Sequence, residues 1–160
     1  MIDYSNWDYR QSVSAFILNK NDQLLLISPV RVVNYSWNIP GGGLEAGETH
    51  EQAVFREIKE ELLIDFKYLE ILYKSDVINK YEYPEEHILK RFESTGQKYK
   101  GQERIQFVMR FISDDFSLIK LDLSEVSSFK WVSLNDLPQY FNLENMRENA
   151  QNVLSKFIND

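Results

Sequence analysis

The spacing of hydrophobic and polar positions along the chain sets out most of its elements. "SVSAFILN" (Ser12–Asn19) predicts a strand, "NKNDQ" supplies turn residues, and "LLLIS" predicts a buried strand. In "RIQFVMRFI" (Arg104–Ile112), Ile105, Phe107, Met109 and Phe111 alternate onto one face. "SSFKWVSL" (Ser127–Leu134) predicts another strand, as does "FKYLEILYKSDV" (Phe66–Val77), with less sharply marked ends. Two runs carry the helical period, about Thr49–Leu63 and about Asn142–Phe157. In the first, Val54, Ile58 and Leu62 step by four with Phe55 beside them, and Thr49 with Gln52 forms a capping-box pattern. The stretch Asn79–Glu103 is polar, charged and follows neither period; connections this long are often functional or mobile. Strands interleaved with few helices predict an α/β fold, a mixed sheet sandwiched between helices.

Composition narrows the picture. A chain of 160 residues that is 43% hydrophobic and 14% aromatic predicts one domain with a sizeable core. It has no cysteine, which excludes disulfides and thiolate chemistry and fits a reducing compartment. "MIDYSNWDYR" lacks an apolar signal region, and no apolar run reaches the ~18 residues of a membrane helix. The expectation is a cytoplasmic protein without a membrane partner. A net charge of −7 argues against gripping a long nucleic acid along its phosphates. Any nucleic acid would be held by one end or a few nucleotides, with no extended binding surface.

The candidate chemistry lies in "WNIPGGGLEAGETHEQAVFREIKEELLID" (Trp37–Asp65). Glu57, Glu60 and Glu61 stand at i, i+3 and i+4, so one helix face gathers three carboxylates. Two carboxylates ~4 Å apart repel by about 4 kcal/mol at an effective dielectric of ~20. If the fold holds them together, a cation should compensate, and all-oxygen donors suit Mg²⁺ or Mn²⁺. Such an ion turns a phosphate-repelling patch into an attractive one. Taken alone, "EIKEE" reads as an ordinary solvated acidic face, and it is the loop before it that changes the weighting. Before it, Gly41, Gly42, Gly43 and Gly47 let a ligand approach the main chain. A P-loop would need Gly-Lys-Ser/Thr, which is absent. Gly41, Gly43 and Ala46 partly match a dinucleotide fingerprint, but Pro40 and Glu45–Glu48 interrupt it.

Gly42, five residues, Glu48, seven residues, then Arg56-Glu57-Ile58-Lys59-Glu60-Glu61 resembles the Nudix box, G-x5-E-x7-R-E-U-x-E-E-x-G-U, with Ile58 and Ile64 at aliphatic positions. Leu63 stands where the family has glycine, so the exit from the helix must avoid the left-handed conformation or bear its strain. The resemblance implies a metal-dependent hydrolase of nucleoside diphosphate derivatives. By the same resemblance, Glu57, Glu60 and Glu61 are metal ligands, with a carbonyl near Gly41. Arg56 pairs with Glu48 to hold loop and helix together, and the Gly41–Gly43 backbone admits phosphates.

Outside the box the chain resembles bacterial RNA pyrophosphohydrolases and related dinucleoside polyphosphate hydrolases. "MIDYSNWDYRQSV" is similar to their start and places Arg10 at the substrate cleft. Arg31 and Ser36 fall at the spacing of substrate-contacting residues, and "KYEYP" supplies Tyr81 as a matching aromatic. "EVSSFKWVSL" puts Glu125 six residues before Trp131, matching a family glutamate with base or metal duties. Read singly, Arg10, Arg31 and Tyr81 also suit an ordinary surface, and Glu125 a loop. Trp37, Phe129 and Trp131 are core aromatics on this reading, and His50 and His87 have no role. Gly41 replaces a glutamine of the RNA enzymes, Val32 and Val33 replace polar residues, and "FNLENMREN" is more acidic than their final helix. The expected substrate is a triphosphorylated RNA 5′ end or a dinucleoside polyphosphate. A nucleoside triphosphate pyrophosphatase, including one for oxidised purines, and a non-catalytic nucleotide- or RNA-end-binding domain are the alternatives.

Overall fold

The computed structural model describes residues 1–30, 37–141 and 144–158. Arg31, Val32, Val33 and Ser36 therefore lie outside the described residues, as does the expected start of the last helix at Asn142. In chain order the elements are β1 (Asp8–Leu18), β2 (Leu24–Pro29), β3 (Gly41–Gly43), α1 (His50–Leu62), β4 (Leu69–Lys74), β5 (Asn79–Glu82), α2 (Glu85–Thr95), β6 (Tyr99–Phe111), β7 (Val126–Val132), α3 (Leu137–Tyr140) and α4 (Glu144–Ile158). The expected strands and helices are present with shifted ends. β1 begins four residues earlier than the apolar run does, and Phe66–Tyr68 is a 3₁₀ turn rather than strand. The unassigned stretch from Asn79 resolves into β5, α2 and the start of β6.

The strands form one mixed sheet in the order β4-β6-β1-β2-β7, with β3 paired to β1 and β5 paired to β6. β1 and β6 run parallel at its centre, in register from Asp8 opposite Tyr99 to Leu18 opposite Arg110. Alternation then sends side chains to two separate cores. Val13, Ala15 and Ile17 of β1 pack with Phe107, Met109 and Phe111 of β6 against Val54, Ile58 and Leu62 of α1. Phe16, Leu18 and Val108 face the other way, onto Ala150, Val153 and Leu154 of α4. The sheet is thus covered by a helix on each face, an α/β sandwich. Trp37 packs against the second core, and Phe129 and Trp131 against the first.

On the α4 face the alternation breaks from apolar to polar. Ser12, Ser14, Gln102 and Gln106 are buried there, in line with Phe16 and Val108 along the same strands. Buried polar groups need partners. Gln102 Oε1 accepts from the hydroxyls of Tyr81 (2.9 Å) and Tyr83 (3.0 Å), and Gln106 Nε2 points at Ser14 Oγ (3.5 Å).

Helix α1 is fixed at both ends. Thr49 Oγ1 accepts from the Gln52 N–H (3.1 Å) and Gln52 Oε1 accepts from the Thr49 N–H (2.9 Å), closing the capping box. At the other end Leu63 adopts φ 50° and ψ 27°, bearing the left-handed strain that the family's glycine avoids. The last carbonyls would be left without partners. They accept instead from a distant segment: Asp122 N–H bonds to Glu61 O (3.1 Å) and Lys120 N–H to Leu62 O (3.0 Å).

Candidate active site

The glycine segment forms a short strand, not the open loop its composition suggests. Gly43, Gly42 and Gly41 pair with Ser12, Val13 and Ser14 of β1. A side chain at Gly41 would strike the backbone of Val13 and Ser14, and one at Gly42 would strike the Glu57 carboxylate. Glycine here permits contact between a strand edge and the acidic face of α1. The contact is polar: the Gly41 N–H donates to Glu61 Oε2 (3.2 Å), and Arg56 Nη2 donates to Gly43 O (2.8 Å).

Arg56 is the hub of this seam. It reaches Glu48 through Nε and Nη2 (2.9 Å from Nη2 to Oε2), Glu57 Oε1 through Nη1 (2.9 Å) and Glu60 Oε2 through Nη1 (3.2 Å). The two-point contact with Glu48 is the planar fork that arginine supplies and lysine cannot. Hydrogen bonds from Arg56, and then from the Glu45 N–H, hold the Glu48 carboxyl down to about 2. The same Glu48 bonds raise the Arg56 pKa above its ordinary value.

Glu57 and Glu61 shift the other way. Burial pushes the Glu57 carboxyl up, and the adjacent Arg56 offsets part of this. Burial pushes Glu61 up to about 8, with repulsion from Glu57 and smaller contributions from Glu125 and Glu60. Glu60 is the exposed member, its side chain 52% accessible and turned to Arg56. Among the described residues no three acidic or histidine side chains close around one point. What the bare protein holds is a pair of charge-starved carboxylates, an oxygen donor set whose ionised form a hard divalent cation would favour. Glu57, Glu61 and the neighbouring Glu60 fit such an ion in chemistry, and Arg56 is the protein's own cation beside them.

The other expected residues group around the polar strip of the sheet. The Arg10 guanidinium lies over Gly43 and acts electrostatically on Glu57. Arg10 is opposite Gln102 in register, and Gln102 holds Tyr81. Glu125 lies within electrostatic range of Glu61, its N–H bonded to Asp122 O (2.9 Å) in the segment that braces α1. Arg10 and Tyr81 line different hollows. Tyr81 borders a cavity of about 270 Å³ with Asn38, Arg104, Gln106 and Asn149. Arg10 borders a more open cleft of about 970 Å³ with Tyr9, Lys100 and Glu103; Lys80 lines both. Arg104, Gln102 and Gln106 escaped the sequence reading. Their signal was the non-apolar face of "GQERIQF", which resembles a solvent face but is a buried floor.

The match to known proteins runs through this arrangement. The NUDIX domain family model matches residues 8–157. The chain belongs to the Nudix family. A protein named RNA pyrophosphohydrolase from Pelagibacter ubique is 31% identical over 82% of this chain and 81% of its own. Among solved structures, the E. coli dihydroneopterin triphosphate pyrophosphohydrolase superimposes with a TM-score of 0.71 at 18% identity, covering 93% of this chain and 99% of that one. The C. elegans Ap4A hydrolase gives 0.66 at 20%, covering 92% and 98%. These two likenesses establish the fold. The protein is a Nudix pyrophosphohydrolase acting on nucleotide-type substrates, and enzymes of this Nudix family generally use divalent cations. No helix among the described residues is long and apolar enough to cross a membrane.

Proposed function

We propose that this Nudix hydrolase removes pyrophosphate, or phosphates stepwise, from triphosphorylated RNA 5′ ends, with dinucleoside polyphosphates as further substrates. The observation that carries this reading is the α1–β3 seam, where Glu61 takes the Gly41 N–H and Glu57 abuts Gly42 at the edge of the polar strip. The similarity to proteins named RNA pyrophosphohydrolase supports the RNA end over a free nucleotide.

In this reading Glu57, Glu60, Glu61 and the Gly41 carbonyl hold Mg²⁺ or Mn²⁺. The bound ion neutralises phosphate charge and lowers the pKa of water. Arg10 draws the phosphates to the Gly43 end of the strip, and the Gly41–Gly43 backbone leaves room for them. Arg56 and Glu48 lock the loop to the helix, keeping the acids oriented. A glutamate of the group, Glu57, Glu61 or Glu125, takes the proton of the attacking water. Tyr81 borders the cavity that receives the nucleoside.

The test is hydrolysis of a 5′-triphosphorylated oligonucleotide beside nucleoside triphosphates, oxidised purine nucleotides and dinucleoside polyphosphates, with Mg²⁺ or Mn²⁺. The RNA end is expected to give the highest kcat/KM. Mononucleotides cleaved orders of magnitude faster would favour the nucleotide-cleaning alternative. Ligand-dependent rises in melting temperature without any cleavage would favour a binding module. Glu61→Gln is expected to abolish turnover while the fold persists; full turnover by that variant would refute the assignment.

A further inference from the structure

The two hollows follow one another along β1. The 270 Å³ cavity borders Phe16, and the 970 Å³ cleft borders Arg10, earlier on the same strand. At about 3.3 Å per residue, those two positions lie about 20 Å apart. Between them β3 pairs with Ser12, Val13 and Ser14, which sets the Gly41–Gly43 backbone and the acidic face of α1 in the middle. With the nucleoside in the cavity and the reacting phosphates at the seam, the cleft beyond Arg10 is left without a task.

The cleft carries more cations than its carboxylates balance. Of its acids, Glu103 is held by Lys80 (2.9 Å) and by Gln11 Nε2 (2.7 Å), and Glu45 lies 3.9 Å from Arg56 Nε. Asp8 remains. Against it stand Arg10 and Lys100, with Arg91 of α2 behind them, its Nη2 donating to Oε1 of the cleft residue Gln97 (3.0 Å). Lys100 donates to Ser5 O (2.6 Å), and among the described residues no carboxylate pairs with it or with Arg91. The Tyr9 ring holds the Lys80 and Lys100 ammoniums against it, 4.0 and 5.3 Å from its centre. In a chain of net charge −7 this excess is a local exception, and a concave surface of one sign concentrates the other. Leu44, Trp7 and Tyr99 add apolar and aromatic wall beside the cations. Phosphate joined to a flat, partly apolar group matches that lining, which is the chemistry of a nucleotide.

We propose that this cleft is a second nucleotide subsite on the leaving side of the scissile bond. It takes the distal nucleoside phosphate of a dinucleoside polyphosphate, and Lys100 holds that phosphate. A triphosphorylated RNA end sends only its departing phosphates toward Arg10 and stops short of Lys100. The inference rests on the phosphates crossing the seam as proposed above, but not on RNA ends being the preferred substrate.

Steady-state hydrolysis of diadenosine tetraphosphate and of a 5′-triphosphorylated RNA dinucleotide, both with Mg²⁺, tests it on the intact protein. Lys100→Ala is expected to raise KM for diadenosine tetraphosphate roughly tenfold with kcat retained, the loss of one charge-assisted contact made equally before and during reaction. Both constants for the triphosphorylated dinucleotide should stay nearly unchanged. Lys100→Arg keeps the charge and should restore the native KM. Gln97→Glu, at an exposed position, sets a carboxylate on the cleft wall against Arg91 and should raise the same KM; it carries the test if Lys100→Ala misfolds. An unchanged KM for diadenosine tetraphosphate in Lys100→Ala overturns the proposal. So does an equal rise for both substrates, the mark of a general phosphate contact. A native protein that cleaves the RNA end but not diadenosine tetraphosphate keeps the RNA reading and loses this one. One that cleaves diadenosine tetraphosphate alone, with the KM rise in Lys100→Ala present, loses the RNA reading and keeps this one. Cleavage of neither overturns both.

Discussion

Glu61 is subject to opposing demands. Burial and Glu57 push its carboxyl up to about 8, while the Gly41 N–H pulls it down. A carboxyl whose folded pKa exceeds its unfolded value favours the native state while protonated and penalises it once ionised. That penalty grows as pH rises from the ordinary glutamate range toward 8, and Glu57 shifts in the same direction. Glu48 acts oppositely: with its carboxyl near 2, its contribution disappears only as pH falls below the ordinary range toward that value. The metal-free protein is therefore expected to melt at lower temperature at pH 8 than at pH 5, with a separate loss in strong acid. Mg²⁺ or Mn²⁺ should recover much of the loss at pH 8, and Glu61→Gln should flatten the slope. Thermal melts across pH decide this; a native profile level from pH 5 to 8 contradicts it. Leu63 poses a simpler question of backbone energy. Its left-handed conformation costs about 1 kcal/mol or more, and a glycine would give part of that back in unfolded-chain entropy. Leu63→Gly is expected to raise the melting temperature by about 2–4 °C at most. A lower melting temperature would mean that the half-exposed leucine contributes more through packing than its backbone loses.

At the scale of elements, the seam between α1 and β3 is where loop and helix become one site. Gly42→Ala would push the Glu57 carboxylate from its place against the strand. Activity should fall by at least roughly tenfold, since groups that hold ligands in position typically carry that much. Far-ultraviolet circular dichroism should be unchanged. Arg56→Lys keeps the charge but cannot fork onto Glu48 while bonding Gly43 O, so a similar loss, with weaker Mn²⁺ binding by titration, is expected. Much of this seam was legible beforehand. The capping box, the apolar stripe of Val54, Ile58 and Leu62, and the pairing of Arg56 with Glu48 follow from spacing or from the family motif. That Gly41–Gly43 would pair as a strand was not legible, because glycines name no partner and their neighbour β1 is about thirty residues away in sequence. The helix α2 was hidden for a related reason: it buries one residue, Ile88, too little to print a period.

Across the whole molecule, the polar strip on the α4 face was the least readable feature. Gln102, Arg104 and Gln106 alternate with Ile105 and Phe107 as an exposed strand face would. It becomes a floor because β5 extends the sheet beside β6 and α4 lies across the cavity that Arg104 and Gln106 line. The chain's charge of −7 limits what such a floor can hold. Without a basic track beyond the cleft, kcat/KM for triphosphorylated RNA should level off after a few nucleotides. A continuing tenfold gain with longer strands, suppressed by salt, would reveal a track that this charge argues against. One further consequence follows from how α1 ends. Residue 61 is tethered twice, its carboxylate to Gly41 and its carbonyl to Asp122, on segments more than eighty positions apart. If Glu61 serves the reaction as proposed, the β6–β7 connection is a tuning peg for the acid: alterations there, remote from any substrate, would be felt first as a changed rate and only later as a changed shape.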